Sequence, residues 1–274
     1  MNIKNKSQYI EYFSKGIKNL NDLKVGVEHE RFLFEGPNKK RITYQTLIKL
    51  FKNLKIYGWQ PIYEKEHIIG MQRDNQQITT EPGLQCELSG APQENIHQVC
   101  SESSDFLKEI KSASKGLDIN TVSIGFDPFN NLTDVPKSQK KRYEIMTKEM
   151  PKSGKQSLEM MYRTCGIQIN YDYTSESNFE KIFRLGNYLT PLTIALYSNS
   201  PFEKGKPTGY YSYRNKIWQN TSRGGIMPIA FEKMTFEKYF DYVIEYPILF
   251  ALRDEYIEPN GQSFKDFILG NFSN

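Results

Sequence analysis

Residues 24–34, KVGVEHERFLF, alternate in the manner of a β-strand. Successive strand side chains point to opposite faces, so Val25, Val27 and Leu33 share one face while Gly26, Glu28, Glu30 and Phe32 share the other. The strand therefore points two carboxylates the same way. Side by side, such groups resist joint ionisation unless a cation or an arginine neutralises them. A solvated sheet face with lysine partners would also hold them, and this strand by itself leaves both readings open.

Other segments supply context. Ile10, Phe13, Ile17 and Leu20 fall at helical spacing and predict an opening helix over 7–20. A second helix is expected from Thr43, its N-cap, to Leu54, followed by short strands at 60–64, 68–72 and 76–80. In 84–89, Leu84, Cys86 and Leu88 alternate with Gln85, Glu87 and Ser89, so Glu87 faces away from the apolar side. A helix over 94–115 ends at Gly116, and a strand near 118–126 follows. The segment RTCGIQINYDY at 163–173 sets Cys165, Ile167 and Ile169 against Gln168, Asn170 and Asp172, giving a strand with a polar inner face. Ser177 with Glu180 reads as a capping box opening a long helix towards Tyr197, kinked at Pro191. A Pro- and Gly-rich loop then leads into a helix bearing Arg214 and Trp218. Strand and helix signals mix without a regular βαβ rhythm or an internal repeat, which predicts an α+β fold with a mostly antiparallel sheet.

With 38% hydrophobic residues in 274, the chain can bury a sizeable core. The longest apolar stretches, such as Leu189 to Leu196, are interrupted and too short to cross a bilayer, so no membrane partner is expected. The first twenty residues lack a continuous apolar segment, which makes a cytoplasmic address the default expectation. A net charge of +4, spread over 36 basic and 32 acidic residues, reads as a solvated surface and not as a nucleic-acid footprint. Cys86, Cys100 and Cys165 have no CxxC spacing, which argues against a disulfide framework or zinc ribbon and for reduced thiols, two of them in the core. Three histidines without HExxH pairing speak against a zinc hydrolase, and GxxxxGK[ST], GxGxxG and GxSxG are all absent. The oxygen ligands on offer, Glu28, Glu30, Glu81 and Glu87 with the Gln168 amide, suit magnesium or calcium better than zinc. Magnesium in turn suggests phosphate chemistry.

Four segments, GVEHERF at 26–32, ITTEPGLQCELSGAP at 78–92, MPKSGKQSLEMMYRTCGIQINYDY at 150–173 and NSPFEKGKPTGYYSYRNKIW at 199–218, resemble in order the motifs of glutamate-cysteine ligase of the plant and proteobacterial type. The resemblance implies a glutamine-synthetase-like catalytic fold, in which an antiparallel sheet forms a funnel-shaped active site with helices packed outside. It also implies a reaction: ATP, L-glutamate and L-cysteine give γ-glutamylcysteine, ADP and phosphate, the first step of glutathione synthesis. By the same resemblance Glu28, Glu30, Glu81 and Glu87 hold Mg2+ ions that bridge the ATP phosphates, and Gln168 stands near them. Arg163 and Arg214 match residues that contact substrate carboxylate or phosphate; Lys152 is of the same kind, or an ordinary surface lysine. No protein nucleophile is needed.

Two positions depart from the pattern: Cys86 replaces an aromatic residue and Leu84 a glycine, both read as packing changes on the face opposite Glu87. Family members also continue past GQSFKDFILGNFSN into a strand with a Glu-x-Arg type motif. Residues 1–274 are therefore expected to be one catalytic domain, incomplete at its C-terminus, acting as monomer or homodimer or with a second chain supplying the rest. A ligase with another amine acceptor, or a noncatalytic remnant that binds nucleotide or a partner, stays open beside the first reading.

Overall fold

A computed structural model describes residues 5–269 except 223, 226, 228, 259 and 260. Its centre is an eight-stranded sheet in which every pairing is antiparallel. Strand β1 (Val25–Glu35) is long enough to take four partners. Along one edge lie β6 (Cys86–Ser89) and β2 (Lys40–Arg41); along the other lie β8 (Ile167–Tyr171) and β7 (Ile119–Val122). Beyond β6 the sheet runs through β5 (Gln76–Thr80) and β4 (His67–Arg73) to β3 (Gln60–Glu64). The α+β expectation with a mostly antiparallel sheet holds.

Register sorts the two faces. One row across the sheet reads Glu30, Glu87, Thr79, Gly70, and the next reads Gln168, Glu28, Ser89, Gln77. On the opposite face, Leu88, Ile78 and Met71 form a continuous apolar row. Helices α2 (Tyr44–Leu54) and α3 (Ile96–Ala113) cover that row, burying Leu47, Leu50, Phe51, Leu54, Phe106 and Ile110 in one cluster with it. Thr43 caps α2 by accepting from Thr46 N. The polar face is left for function.

Several expected boundaries move. Helix α1 stops at Ser14 (Lys6–Ser14), and Ile17 instead bridges to Tyr173. Arg163 closes a short helix (Ser157–Arg163) between α4 (Lys141–Glu149) and β8, so the strand expected from 163 starts at Ile167. The short helix is α5. Helix α6 (Glu176–Tyr197) is capped by Ser175, whose hydroxyl accepts from Asn178 N; Ser177 already lies inside it. Cys86 and Cys165 are buried and Cys100 is exposed. Leu84 does not belong to β6: it sits in the preceding turn at φ +57°, with its side chain fully buried in the main core. Glycine adopts that backbone freely, whereas leucine accepts a left-handed cost in exchange for core contacts.

Candidate active site

The polar face brings Glu30, Glu81 and Glu87 together, with one oxygen of each within 4.8 Å of the others. Glu30 and Glu87 face one another directly across β1 and β6. Glu81 arrives from the turn between β5 and β6, where Leu84 N donates to Glu81 O and Glu81 N to Gln85 O. Buried polar side chains fix that turn. Arg41 donates to Gly83 O and Tyr162 O, and pairs with Asp127 at 3.4 Å. Gln85 Nε2 donates to Met161 O and Thr164 O, each at 3.0 Å. Gly83 has no room for a side chain, since a Cβ there would stand 2.5 Å from Tyr162 O.

Three carboxylates this close cannot all stay ionised without help. Burial first, then Glu81 and Glu87, push Glu30 up from an ordinary 4.5 to about 8. Glu87 is raised too, by burial and then Glu81, against hydrogen bonds from Ser89 and Thr79. A divalent cation removes the conflict, and an all-carboxylate donor set is the chemistry of a hard ion such as Mg2+. Glu28 stands beside this cluster and not within it: Gln168 Nε2 and Asn170 Nδ2 donate to its two oxygens at 2.8 and 3.0 Å.

Arginine placement divides the expected residues. Arg214, on α7 (Tyr213–Gln219), lies between Gly125 and Gly166, stacks on Trp218 and offsets the charge of Glu30. Its buried Nε has no partner among the described residues. Gly166 serves twice: its N–H donates to Glu30, and a Cβ there would stand 2.7 Å from Arg214 Nη2. Arg163 goes elsewhere. It is buried against Phe126, paired with Glu159 and Glu203 and donating to Asp127 O, so its guanidinium is already committed to the protein. Lys152 is exposed on a surface turn and paired with Glu149, as its surface reading anticipated. Arg163 is therefore better described as an anchor for the 125–127 segment than as a substrate contact.

The structure adds residues that the strand patterns did not single out. Arg142 donates to Tyr143 OH, which donates to Glu81 Oε1, each at 2.9 Å. Burial and then Glu81 hold the Tyr143 phenol protonated far beyond its usual range. Lys140 is buried, donates to Thr80 O at 2.8 Å and is pulled down to about 8, by burial first and Arg142 second. Lys140 and Arg142 line a cavity of about 190 Å³ with Thr79, Glu64 and Tyr256. Acidic cluster and basic wall thus meet at Thr79, which also touches Glu87. In the sequence these residues belong to the run KSQKKRY, which looks like any solvated charge run; only the neighbouring Tyr143 hints at burial.

Comparison with known proteins supplies a family. The family model described as glutamate-cysteine ligase family 2 matches residues 24–268. Glutamate--cysteine ligase A, chloroplastic, of Oryza sativa subsp. japonica is 40% identical over 270 residues, covering 97% of this chain and 55% of the relative. The chloroplastic ligase of Nicotiana tabacum is 39% identical over 273 residues, 98% and 52% of the two chains, and that of Arabidopsis thaliana 39% over 266, 95% and 51%. The chain spans about half the length of the curated relatives it matches. These relatives also correct the expected cytoplasmic address, since each is a chloroplastic enzyme. The composition of residues 1–20, on which that expectation rests, does not separate cytosol from organelle. Among the described residues no helix is long and apolar enough to cross a membrane. A family match over residues 24–268, together with relatives near 40% identity along almost the whole chain, places the protein in the glutamate-cysteine ligase family.

Proposed function

We propose that the chain carries the carboxylate-binding and cation-binding face of an ATP-dependent ligase that joins the γ-carboxyl of L-glutamate to the amine of L-cysteine, within a plastid. The observation that carries this reading is the meeting of Glu30, Glu81 and Glu87 within 4.8 Å beside the unpartnered buried Nε of Arg214. Bound at these three carboxylates, Mg2+ would neutralise charge on the phosphates of ATP. Arg214 is suited to clamp a substrate carboxylate bidentately, and stacking on Trp218 limits its movement. Lys140 and Arg142 offer positive charge to the phosphoryl oxygens from the facing wall. Tyr143 keeps Glu81 oriented by a proton it does not release.

Chemistry then needs no protein nucleophile. The γ-carboxylate attacks the terminal phosphorus of ATP, ADP leaves, and the cysteine amine displaces phosphate from the acyl phosphate. Water excluded from the polar face would protect that acyl phosphate. An antiparallel sheet with one polar face supports a glutamine-synthetase-like reading, in which that face would form one wall of a funnel.

Two measurements on the 274-residue chain at pH 8.5 test the proposal. Mn2+ titration followed by the paramagnetic resonance of the free ion should show saturable binding, weakened more than tenfold by Glu30→Gln and by Glu87→Gln. Phosphate release from MgATP should require both glutamate and cysteine. Binding that ignores both substitutions overturns the cation site, and release indifferent to cysteine overturns the acceptor. Mn2+ binding without phosphate release would overturn the ligase reading for this chain by itself and leave the cation site standing.

A further inference from the structure

Gln85 is 1% exposed, yet its amide uses its acceptor and both donors. Its Oε1 accepts from Gly83 N at 2.8 Å, and its Nε2 donates to Met161 O and Thr164 O, 76 and 79 residues along the chain. Its own carbonyl accepts from Glu81 N at 2.9 Å. One side chain therefore ties together two distant segments, and each carries part of the site. The turn at 81–84 delivers Glu81. On the other segment Gly166, just past Thr164, donates its N–H to Glu30, and its missing side chain leaves room for Arg214. Thr164 Oγ1 accepts from Trp218 Nε1 at 3.4 Å, and the Trp218 ring carries the Arg214 guanidinium 5.0 Å from its centre. Arg41 crosses the same gap beside Gln85, between Gly83 O and Tyr162 O.

The tie works against charge. Glu81 repels Glu30 and Glu87, and without a cation its turn would lower that repulsion by moving away from the cluster. A buried amide with three partners resists the movement, because each polar group left unpaired in the interior is costly. Few side chains could replace it: methionine matches the length and loses all three bonds, and glutamate keeps the acceptor and loses both donors. We infer that Gln85 is a positioning residue of the ligase site, which keys the Glu81 turn to the 161–166 segment and so sets the spacing of the cation-binding carboxylates and the seat of the Arg214 guanidinium together. This inference rests on the reading of the acidic cluster as a cation site and of Arg214 as a substrate clamp, and adds that both depend on one side chain.

Gln85→Met in the 274-residue chain should weaken Mn2+ binding about tenfold and the binding of L-glutamate, followed by calorimetry in EDTA, about fivefold. Leu54→Ala is the control: it opens a cavity in the core on the opposite face, lowers stability, and should leave both affinities within about twofold of wild type. A measurement on the wild-type chain stands whether or not the methionine variant folds. The side-chain amide protons of Gln85, followed by NMR, should exchange slowly and should shift on addition of Mg2+ alone and of glutamate alone. Equal losses of affinity in Gln85→Met and Leu54→Ala, loss of one affinity without the other, or amide protons that answer to only one of the two ligands would overturn the inference. A wild-type chain that binds neither Mn2+ nor glutamate would overturn the reading of the site itself, and the role of Gln85 with it.

Discussion

Replacing Glu30 by Gln should stabilise the metal-free protein while weakening its hold on a divalent cation. Burial and the carboxylates of Glu81 and Glu87 raise Glu30 to about 8, whereas the unfolded chain titrates it near 4.5. Between those values the folded state binds more protons than the unfolded one, so the contribution of Glu30 to stability is complete below pH 4.5 and is lost as pH rises towards 8. Each pH unit in that window removes about 1.4 kcal/mol, or roughly 3 kcal/mol by pH 7 and at most about 5 kcal/mol above pH 8. A glutamine has nearly the same shape, can still accept from Gly166 N and carries no charge to suppress. Urea unfolding in EDTA at pH 5.5, 6.5, 7.5 and 8.5 should therefore show wild-type stability falling with pH and a flatter profile for the variant, the gap widening to several kcal/mol. Saturating Mg2+ should flatten the wild-type profile and leave the variant unmoved. A variant that is less stable than wild type at pH 8.5, or that keeps the slope, would refute the claim that the cluster is assembled against its own repulsion.

Four further outcomes follow from particular contacts. Gly166→Ala should push the Arg214 guanidinium aside and raise the KM for glutamate at least tenfold, with little loss of thermal stability, because the displaced atom is the free end of a side chain; an unchanged KM would remove Arg214 from the substrate site. Leu84→Gly should relieve about 1 kcal/mol of left-handed strain and forfeit about 3 kcal/mol of core burial, so denaturant unfolding should show a net loss near 2 kcal/mol. Asp127→Ala should cost about 4 kcal/mol by stranding Arg41 without its buried partner, and unfolding within 1 kcal/mol of wild type would contradict that role. A thiol reagent at pH 8 should modify Cys100 and spare the other two, since burial pushes Cys86 up to about 12 and Cys165 well above its usual range; three thiols should react in urea.

What the sequence revealed followed strand periodicity. Alternation placed Glu28 and Glu30 on one face and Glu87 away from the core, and both placements hold because their neighbours on the other face are buried. It could not separate Glu28 from Glu30, which differ only in what lies across the sheet: Gln168 and Ser89 for one, Glu87 for the other. Turn geometry was beyond it as well. Glu81 reaches the cluster because Leu84 takes a left-handed conformation, and alternation had assigned Leu84 to a strand. Arg163 reads as a substrate contact from its match to the family motif, yet Glu159 one turn earlier and the distant Glu203 claim its guanidinium. Lys140, Arg142 and Tyr143 escaped because long-range packing, not local spacing, carries α4 against the sheet.

The register of β1 on β6 explains why so unfavourable a cluster persists. Like charges directly opposite one another destabilise an antiparallel pair, and Glu30 faces Glu87. A slip of one residue would separate them. It would also turn Leu88 and Cys86 out of the main core and drive Glu87 into it, because side-chain direction reverses at every residue. Burying one large aliphatic side chain contributes about 2 kcal/mol, and the row from Leu88 through Ile78 to Met71 extends that penalty across three strands. The apolar face thus fixes the polar one. Relief can come from protonation, which the rise of Glu30 to about 8 already expresses, or from a cation. At alkaline pH the first route weakens, so occupation by a divalent ion should become the stabilising state, readable as a rise in melting temperature with Mg2+ that is larger at pH 8.5 than at pH 6.5.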